Sequence, residues 1–228
     1  DFLANAAHEL RTPLAAIRSS VEVALARQRS TEEYQELLDG VIVEGASLES
    51  LVNQLLLLSE TEAEGTELRG ERFALNDVVH KAIDMFEAVA ESKEVHLQLV
   101  EAHPVTIAGN QQHVRQVLNN LLDNAIKFTP AGGRVTIRLR RDVERKLAVL
   151  EVSDNGIGIA ATEVPRIFER FFRANNARRS ESELKGSGLG LSICRAVVES
   201  LGGRINATSQ LGQGTTFIVT LPLADELT

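Results

Sequence analysis

One cysteine in 228 residues excludes an internal disulfide. Cys194 reads as a small core residue, and no Cys/His cluster has metal-ligand spacing, so the chain suits a reducing compartment. Basic residues are outnumbered, 24 Lys and Arg against 32 Asp and Glu, for a net charge of -8. A nucleic-acid or membrane-surface binder carries a basic patch, so neither class fits. No apolar run approaches the ~20 residues that cross a bilayer, and there is no signal-peptide pattern, so a soluble piece is expected. Internal repeats and low-complexity stretches are also lacking.

What is present is enough apolar material, 43% of residues, to build a small domain plus one of standard size. Leu3, Ala7, Leu10, Leu14, Ile17, Val21 and Leu25 recur every three or four residues and predict an amphipathic helix to about residue 28. His8 falls far from the centre of that stripe, with Thr12 one turn further along the same polar side. Pro13, inside the helix, leaves the Glu9 carbonyl without its usual donor. A solvated surface histidine would account for His8 alone, but not for a proline placed one turn beyond it. Leu37, Leu38, Val41, Ile42, Leu48, Leu51, Val52, Leu55, Leu56 and Leu58 predict a second helix over 31–59. Thr31 is its expected cap, and Glu32 and Glu33 suit its first turn. The short polar connection implies an antiparallel hairpin. One hairpin cannot bury two such wide stripes, so a second copy completing a dimeric four-helix bundle is expected. Packing of the stripes on the chain's own second domain is the alternative.

Residues 60–72 are polar, charged and carry two glycines, which reads as a linker. The expected division is a helical domain over 1–64 and a second domain over 65–228. In the latter, a helix capped by Asn76 runs to about 90, followed by short strands at 95–100 and 105–107. A long helix over 111–128 ends at Thr129-Pro130, and hairpins pair 134–141 with 147–153 and 204–209 with 215–221. Strands and helices without regular alternation predict a two-layer α+β sandwich.

Four stretches of this second domain carry chemistry. Asn120, Asn124 and Lys127 share one helix face, where amides and an ammonium can hold a hydrated Mg²⁺ and phosphate oxygens, although a solvated polar face has the same pattern. Asp154-Asn155-Gly156-Ile157-Gly158-Ile159 follows a predicted strand. A carboxylate there can accept from an exocyclic amine, and the glycines allow close backbone approach; a plain strand-end turn is the alternative. Phe168, Phe171 and Phe172 gather three of the eight phenylalanines into five positions, as core or as anchors for the following segment. That segment, 174–185, has no apolar pattern and is expected to be a mobile lid. Gly186-Ser187-Gly188-Leu189-Gly190-Leu191 then opens a helix to about residue 201, whose free N–H groups suit phosphate. It is neither a Walker A loop nor a dinucleotide-fold glycine pattern.

His8-Glu9-Leu10-Arg11-Thr12-Pro13-Leu14 resembles the H-box of the sensor histidine kinases of two-component signalling. Asn120-Leu121-Leu122-Asp123-Asn124-Ala125-Ile126-Lys127-Phe128-Thr129-Pro130 resembles that family's N-box, 154–159 its G1 box, 167–173 its F-box and 186–191 its G2 box. Gly212-Gln213-Gly214-Thr215-Thr216-Phe217 completes the series as a G3-like turn. The resemblance spans essentially the whole chain. It implies a dimerising phosphoacceptor hairpin followed by an ATP-binding domain of the Bergerat type. The implied activities are phosphorylation of His8 by ATP, transfer to an aspartate of a response regulator, and removal of phosphate from that regulator through Thr12. By the same resemblance Asn124 is the Mg²⁺ ligand, Lys127 contacts phosphate, Asp154 reads the adenine amino group and Arg173 lies near the transferring phosphate. Asn120, Phe128, Gly156, Gly158, Phe168, Gly186, Gly188, Leu189, Gly190 and Thr215 are then the remaining nucleotide-site residues. Glu9 is the expected proton acceptor beside His8, whose attack requires a neutral ring.

Only seven residues precede His8, so an upstream sensor segment is expected outside this chain, and the resemblance implies one anchored in the inner membrane with this core in the cytoplasm. Two rival readings remain at this point. One is an ATPase of the gyrase, heat-shock-90 and mismatch-repair group, which leaves His8 and Glu9 unexplained. The other is a scaffold that binds nucleotide and only docks a regulator, against which Asn124, Asp154 and the glycines count.

Overall fold

A computed structural model describes residues 2–63, 71–174 and 187–224. The chain divides into two compact units, 1–60 and 61–228. In the first, α1 (Phe2–Leu25) and α2 (Thr31–Ala63) are joined by five residues. The cap of α2 is Ser30, not Thr31. Its Oγ accepts from Glu33 N at 3.2 Å while Glu33 Oε2 accepts from Ser30 N at 3.0 Å, a reciprocal box that satisfies two otherwise orphaned donors. Arg29 donates to Val23 O at 3.0 Å and so ties the connection to the end of α1.

The expected stripe of α1 is not its buried face. Ala6 and Pro13, outside that stripe, are buried, Leu10 and Ile17 are half-buried, and Leu3, Leu14 and Leu25 are 80%, 57% and 81% exposed; on α2 Leu51 is buried, and Ile42 and Leu56 are 68% and 56% exposed. One hairpin covers only one side of each broad stripe. Contrary to the expectation that no apolar run approaches such a length, α2 is long and apolar enough by composition to cross a membrane. Glu44 and Glu49 along it suit an amphipathic hairpin helix.

The second unit opens with β1 (Glu71–Ala74), which leads directly into α3 (Leu75–Ser92). Asn76 does not cap α3. The helix begins one residue earlier, and Leu75 N donates instead to Val105 O at 2.8 Å. There follow β2 (His96–Ala102), β3 (Thr106–Gly109) and α4 (Gln111–Lys127). The Asn110 side chain caps α4 by accepting from Gln112 N at 2.9 Å. β4 (Arg134–Asp142) and β5 (Leu147–Asp154) form the first expected hairpin. A 3-10 turn (Val164–Arg166), α5 (Gly190–Ser200), and the hairpin of β6 (Arg204–Gln210) with β7 (Gly214–Pro222) complete the order.

The main sheet runs β2-β4-β5-β7-β6, with β2 parallel to β4 and every other pair antiparallel; β1 and β3 make a separate antiparallel pair. Alternate residues Val135, Ile137 and Leu139 of β4, Leu150 and Val152 of β5, and Phe217, Val219 and Leu221 of β7 are buried, as a sheet covered on one face requires. Leu118, Leu121 and Leu122 of α4 and Ile193 and Val197 of α5 fill the core beneath. The intervening strand positions carry Glu101, Arg138, Arg140 and Glu151 in surface ion pairs, closest between Arg140 Nε and Glu101 at 2.7 Å. Exposed pairs of this kind add little stability.

Candidate functional site

In the first unit His8 is exposed on α1 and its side chain makes no hydrogen bond among the described residues, while Glu9 beside it is half-buried. The helix continues through Pro13. Thr12 Oγ1 donates to His8 O at 3.3 Å, the back-bond open to a threonine one turn on. Its proton engaged there, the hydroxyl offers lone pairs outward.

In the second unit the ends of β5 and β7 converge on one carboxylate. Asp154 Oδ1 accepts from Gly156 N at 2.9 Å and Thr215 N at 3.2 Å. Burial pushes the carboxyl above its usual pKa, and the two backbone donors pull it back. No described residue donates to Oδ2, which is left as an acceptor. Gly156 is required by packing, since a Cβ there would lie 2.3 Å from Phe128 O. Around the same turn Ile157 N donates to Phe128 O at 3.1 Å and Gly212 N to Ile157 O at 2.8 Å, so Gly158 sits where the N-box end and the β6–β7 turn meet.

α4 lies beside α5 in the opposite direction. Asn120 Nδ2 donates to Gly190 O at 3.2 Å, and one turn back the Cys194 thiol donates to Val117 O at 3.6 Å. Burial pushes that thiol up to about 12, the value of an inert core residue. Asn120 is thus partly a tie between helices. Asn124, one turn on along the same face, makes no side-chain hydrogen bond among the described residues. The Lys127 ammonium lies 5.8 Å from the centre of the Phe128 ring, and its pKa is lowered, by burial above all; the Asp123 carboxylate opposes this, and the charges of Arg173 and Lys93 add smaller lowering effects. Cations therefore gather at this end of α4.

The phenylalanines anchor the described ends of the stretch between 174 and 187. Phe168 packs edge-on against Phe217 with centroids 6.4 Å apart, and the Arg166 guanidinium lies 4.6 Å from the centre of Phe172. Phe171 is held at φ +61 and its N–H donates to Gly188 O at 3.0 Å. Gly188, at φ +71, faces it so closely that a Cβ would come within 2.8 Å of the Phe171 backbone. Residues 175–185 of the predicted lid and Gly186 lie outside the described residues. α5 begins at Gly190, later than the glycine pattern suggested, because the left-handed Gly188 makes the turn before it; Leu189 is fully buried there.

Nucleotide chemistry fits this set of donors: an acceptor oxygen at a cradle closed to side chains, a helix N-terminus and clustered cations. Among the described residues no three His, Cys, Asp or Glu side chains group as metal ligands. The Asn124 amide oxygen is one group at this end of α4 that could hold a divalent cation.

Comparison with known proteins gives the same class. Residues 1–64 match the His Kinase A (phospho-acceptor) domain, and 109–225 match the Histidine kinase-, DNA gyrase B-, and HSP90-like ATPase family, which implies ATP as the ligand. The sensor histidine kinase CusS of Escherichia coli (strain K12) is 35% identical over 224 residues, 97% of this chain and 45% of that protein. Among solved structures, the Acinetobacter baumannii histidine kinase AdeS aligns at TM-score 0.73 and 25% identity, covering 96% of this chain and 98% of that one. Full-length ShkA in complex with AMPPNP aligns at TM-score 0.73 and 26% identity, over 99% of this chain and 46% of that one. A helical phosphoacceptor hairpin with a Bergerat-type ATP-binding module defines a histidine kinase catalytic core. The chain belongs to the sensor histidine kinases of two-component systems, and it spans about half the length of the curated relatives it matches.

Proposed function

We propose that this core phosphorylates itself on His8 with ATP, passes the phosphoryl group to an aspartate of a response-regulator receiver domain, and later removes it. The observation that carries this reading is an exposed histidine, on a helix that continues through a proline, in the same chain as an adenine-type cradle built on Asp154. Residues 1–64 serve as the dimerisation and phosphoacceptor domain and 65–228 as the catalytic domain, working in the cytoplasm.

In the reaction one neutral ring nitrogen of His8 forms a bond to the γ-phosphorus as the β–γ bridging P–O bond breaks and ADP leaves. The proton on the other ring nitrogen passes to, or is polarised by, Glu9. Asp154 Oδ2 accepts from the adenine amine, with Gly156, Gly158 and Phe128 around the base and Phe168 in the wall behind. Lys127, Arg173 and the N-terminus of α5 at Gly188, Leu189 and Gly190 meet charge developing on the phosphates, with Asn120 holding α5 to α4. Asn124 would be the protein ligand to Mg²⁺, which would supply positive charge beside the phosphates when bound. In the presence of a receiver domain, label from γ-labelled ATP should move from this chain to the receiver; label that stays on the chain with every receiver tried would oppose transfer.

The uncovered apolar positions of the hairpin, Leu14, Leu25, Ile42 and Leu56 among them, support a homodimer, because a contiguous apolar face of this kind marks an interface. Sedimentation at micromolar concentration should show a dimer, and a monomer would contradict this arrangement.

Thr12 supports the phosphatase step. With its proton on His8 O, the hydroxyl can accept from a water and orient it toward a phospho-aspartate docked near His8. Thr12→Ala should leave autophosphorylation and transfer intact but slow regulator dephosphorylation by about a hundredfold or more, the scale of losing one general acid–base group. An unchanged dephosphorylation rate in a folded, dimeric variant would leave Thr12 a local structural residue.

A further inference from the structure

α4 is tied to the first turn of α5 by two amides in series. Gln116 Nε2 donates to Asn120 Oδ1 at 3.2 Å, and Asn120 Nδ2 donates to Gly190 O at 3.2 Å. The two ends of an amide are alike in shape, and only hydrogen-bond partners tell them apart. Gly190 offers Asn120 a carbonyl, which accepts and cannot donate, so the Asn120 nitrogen must face α5. Its oxygen then faces Gln116, which has to present its own nitrogen. One turn apart on the same helix face, the two side chains are placed to meet. The tie is close: a Cβ on Gly190 would lie 3.6 Å from the Asn120 amide carbon. Buried Ile193 and Val197 hold the rest of α5, together with the Cys194 thiol on Val117 O. The amide pair therefore governs only the first turn, the end of α5 that adjoins the left-handed Gly188.

We propose that Gln116 is a positioning residue that fixes the phosphate-facing end of α5 through Asn120. By donating to Asn120 Oδ1, it keeps the Asn120 nitrogen turned toward Gly190. The N–H groups at the start of α5 are thereby held in place relative to Asn124 and Lys127, further along α4. Without that donor the half-buried Asn120 oxygen loses its partner and turns toward water, and the Gly190 carbonyl loses one in turn. The first turn of α5 then shifts while the packed remainder of the helix stays. Phosphate contacts weaken as a result. Asp154, held by Gly156 and Thr215, shares no hydrogen bond with this pair. The inference rests on the nucleotide reading of this site and deepens it, through a residue outside the stretches that resemble the family's boxes.

The test is equilibrium titration of the whole protein with ATP in the presence of Mg²⁺, with binding read directly and not through activity. Gln116→Met keeps the length of the side chain and removes its donor, so it should weaken ATP binding about fivefold, the scale of one lost hydrogen bond. The accompanying signature is the Asn120 side-chain NH₂ pair in a nitrogen-edited NMR spectrum, assigned by its loss in Asn120→Ala. In Gln116→Met that pair should move toward the position of a free amide. A pair that merely braced α4 would lower the unfolding temperature and leave the affinity of the folded protein as it was, so an unchanged ATP affinity overturns the proposal. Weaker ATP binding with the Asn120 resonances unmoved also overturns it, since Gln116 would then act by another route. Should Gln116→Met fail to fold, Gln116→Ala, which suits a helix best, is read against the same outcomes. Wild-type protein that binds no ATP overturns the nucleotide reading itself, and the proposal with it. Wild-type binding of ATP with an unaffected variant overturns the role of Gln116 alone.

Discussion

His8→Gln protein incubated with ATP should acquire no phosphoryl group, a loss to background, while its ATP affinity and dimerisation match the wild type. The expectation of full loss with an intact fold follows from where His8 stands. Its side chain is exposed on α1 and forms no hydrogen bond among the described residues, so nothing structural depends on it. Glutamine is an adequate helix former and stays polar on the surface, so stability should change by no more than about 0.5 kcal/mol. Label incorporation, helicity and sedimentation on the same preparation check the three parts. Persistent acid-labile labelling of the variant would move the phosphoacceptor to another residue.

Asp154→Asn carries the second large effect, on nucleotide binding. Asparagine can keep its oxygen toward the N–H groups of Gly156 and Thr215, the two donors that hold the carboxylate now. Its amide nitrogen then replaces Oδ2 and points donor at donor toward an exocyclic amine. Losing a charge-assisted bond and leaving a polar group unmatched costs about 3 kcal/mol, roughly a hundredfold in ATP affinity. Because burial already disfavours the charged carboxylate, removing the charge should leave the fold in place. Calorimetric titration with ATP measures it, and an affinity within error of wild type would take Asp154 out of the base site.

Local pattern carried most of the architecture. Apolar spacing marked both hairpin helices, α3 and α4, and alternation marked the two β-hairpins, because each rests on contacts close along the chain. What sequence did not show depends on distant partners. β1 is four residues of mixed character and exists only through its pairing with β3, more than thirty positions on. The parallel pairing of β2 with β4 likewise needs the crossover through β3 and α4 before it can form. Cap placement erred by the same logic. Ser30 and Thr31 are adjacent capping types, and only the reciprocal bond from Glu33 distinguishes them, while Leu75 finds its acceptor on Val105, beyond any local signal.

At the candidate site the glycine stretches and Asp154 were legible because a turn that must approach a ligand closely leaves few residue types to choose from. The roles assigned to Asn124, Lys127 and Arg173 came from resemblance, and the structure adds that Lys127 lies within the field of Arg173. Phe171 and Gly188 were read as ring and turn residues. Their backbone pairing, with both at positive φ, could not be seen from composition, since phenylalanine seldom adopts that conformation.

The most direct test of the account is the chemical stability of the label that this protein takes from γ-labelled ATP. A phosphoramidate on His8 should be lost in acid and survive in base, and peptide mapping should place it in α1. An acid-stable label, or steady release of inorganic phosphate with no labelled protein, would contradict a histidine kinase and leave an ATPase in its place.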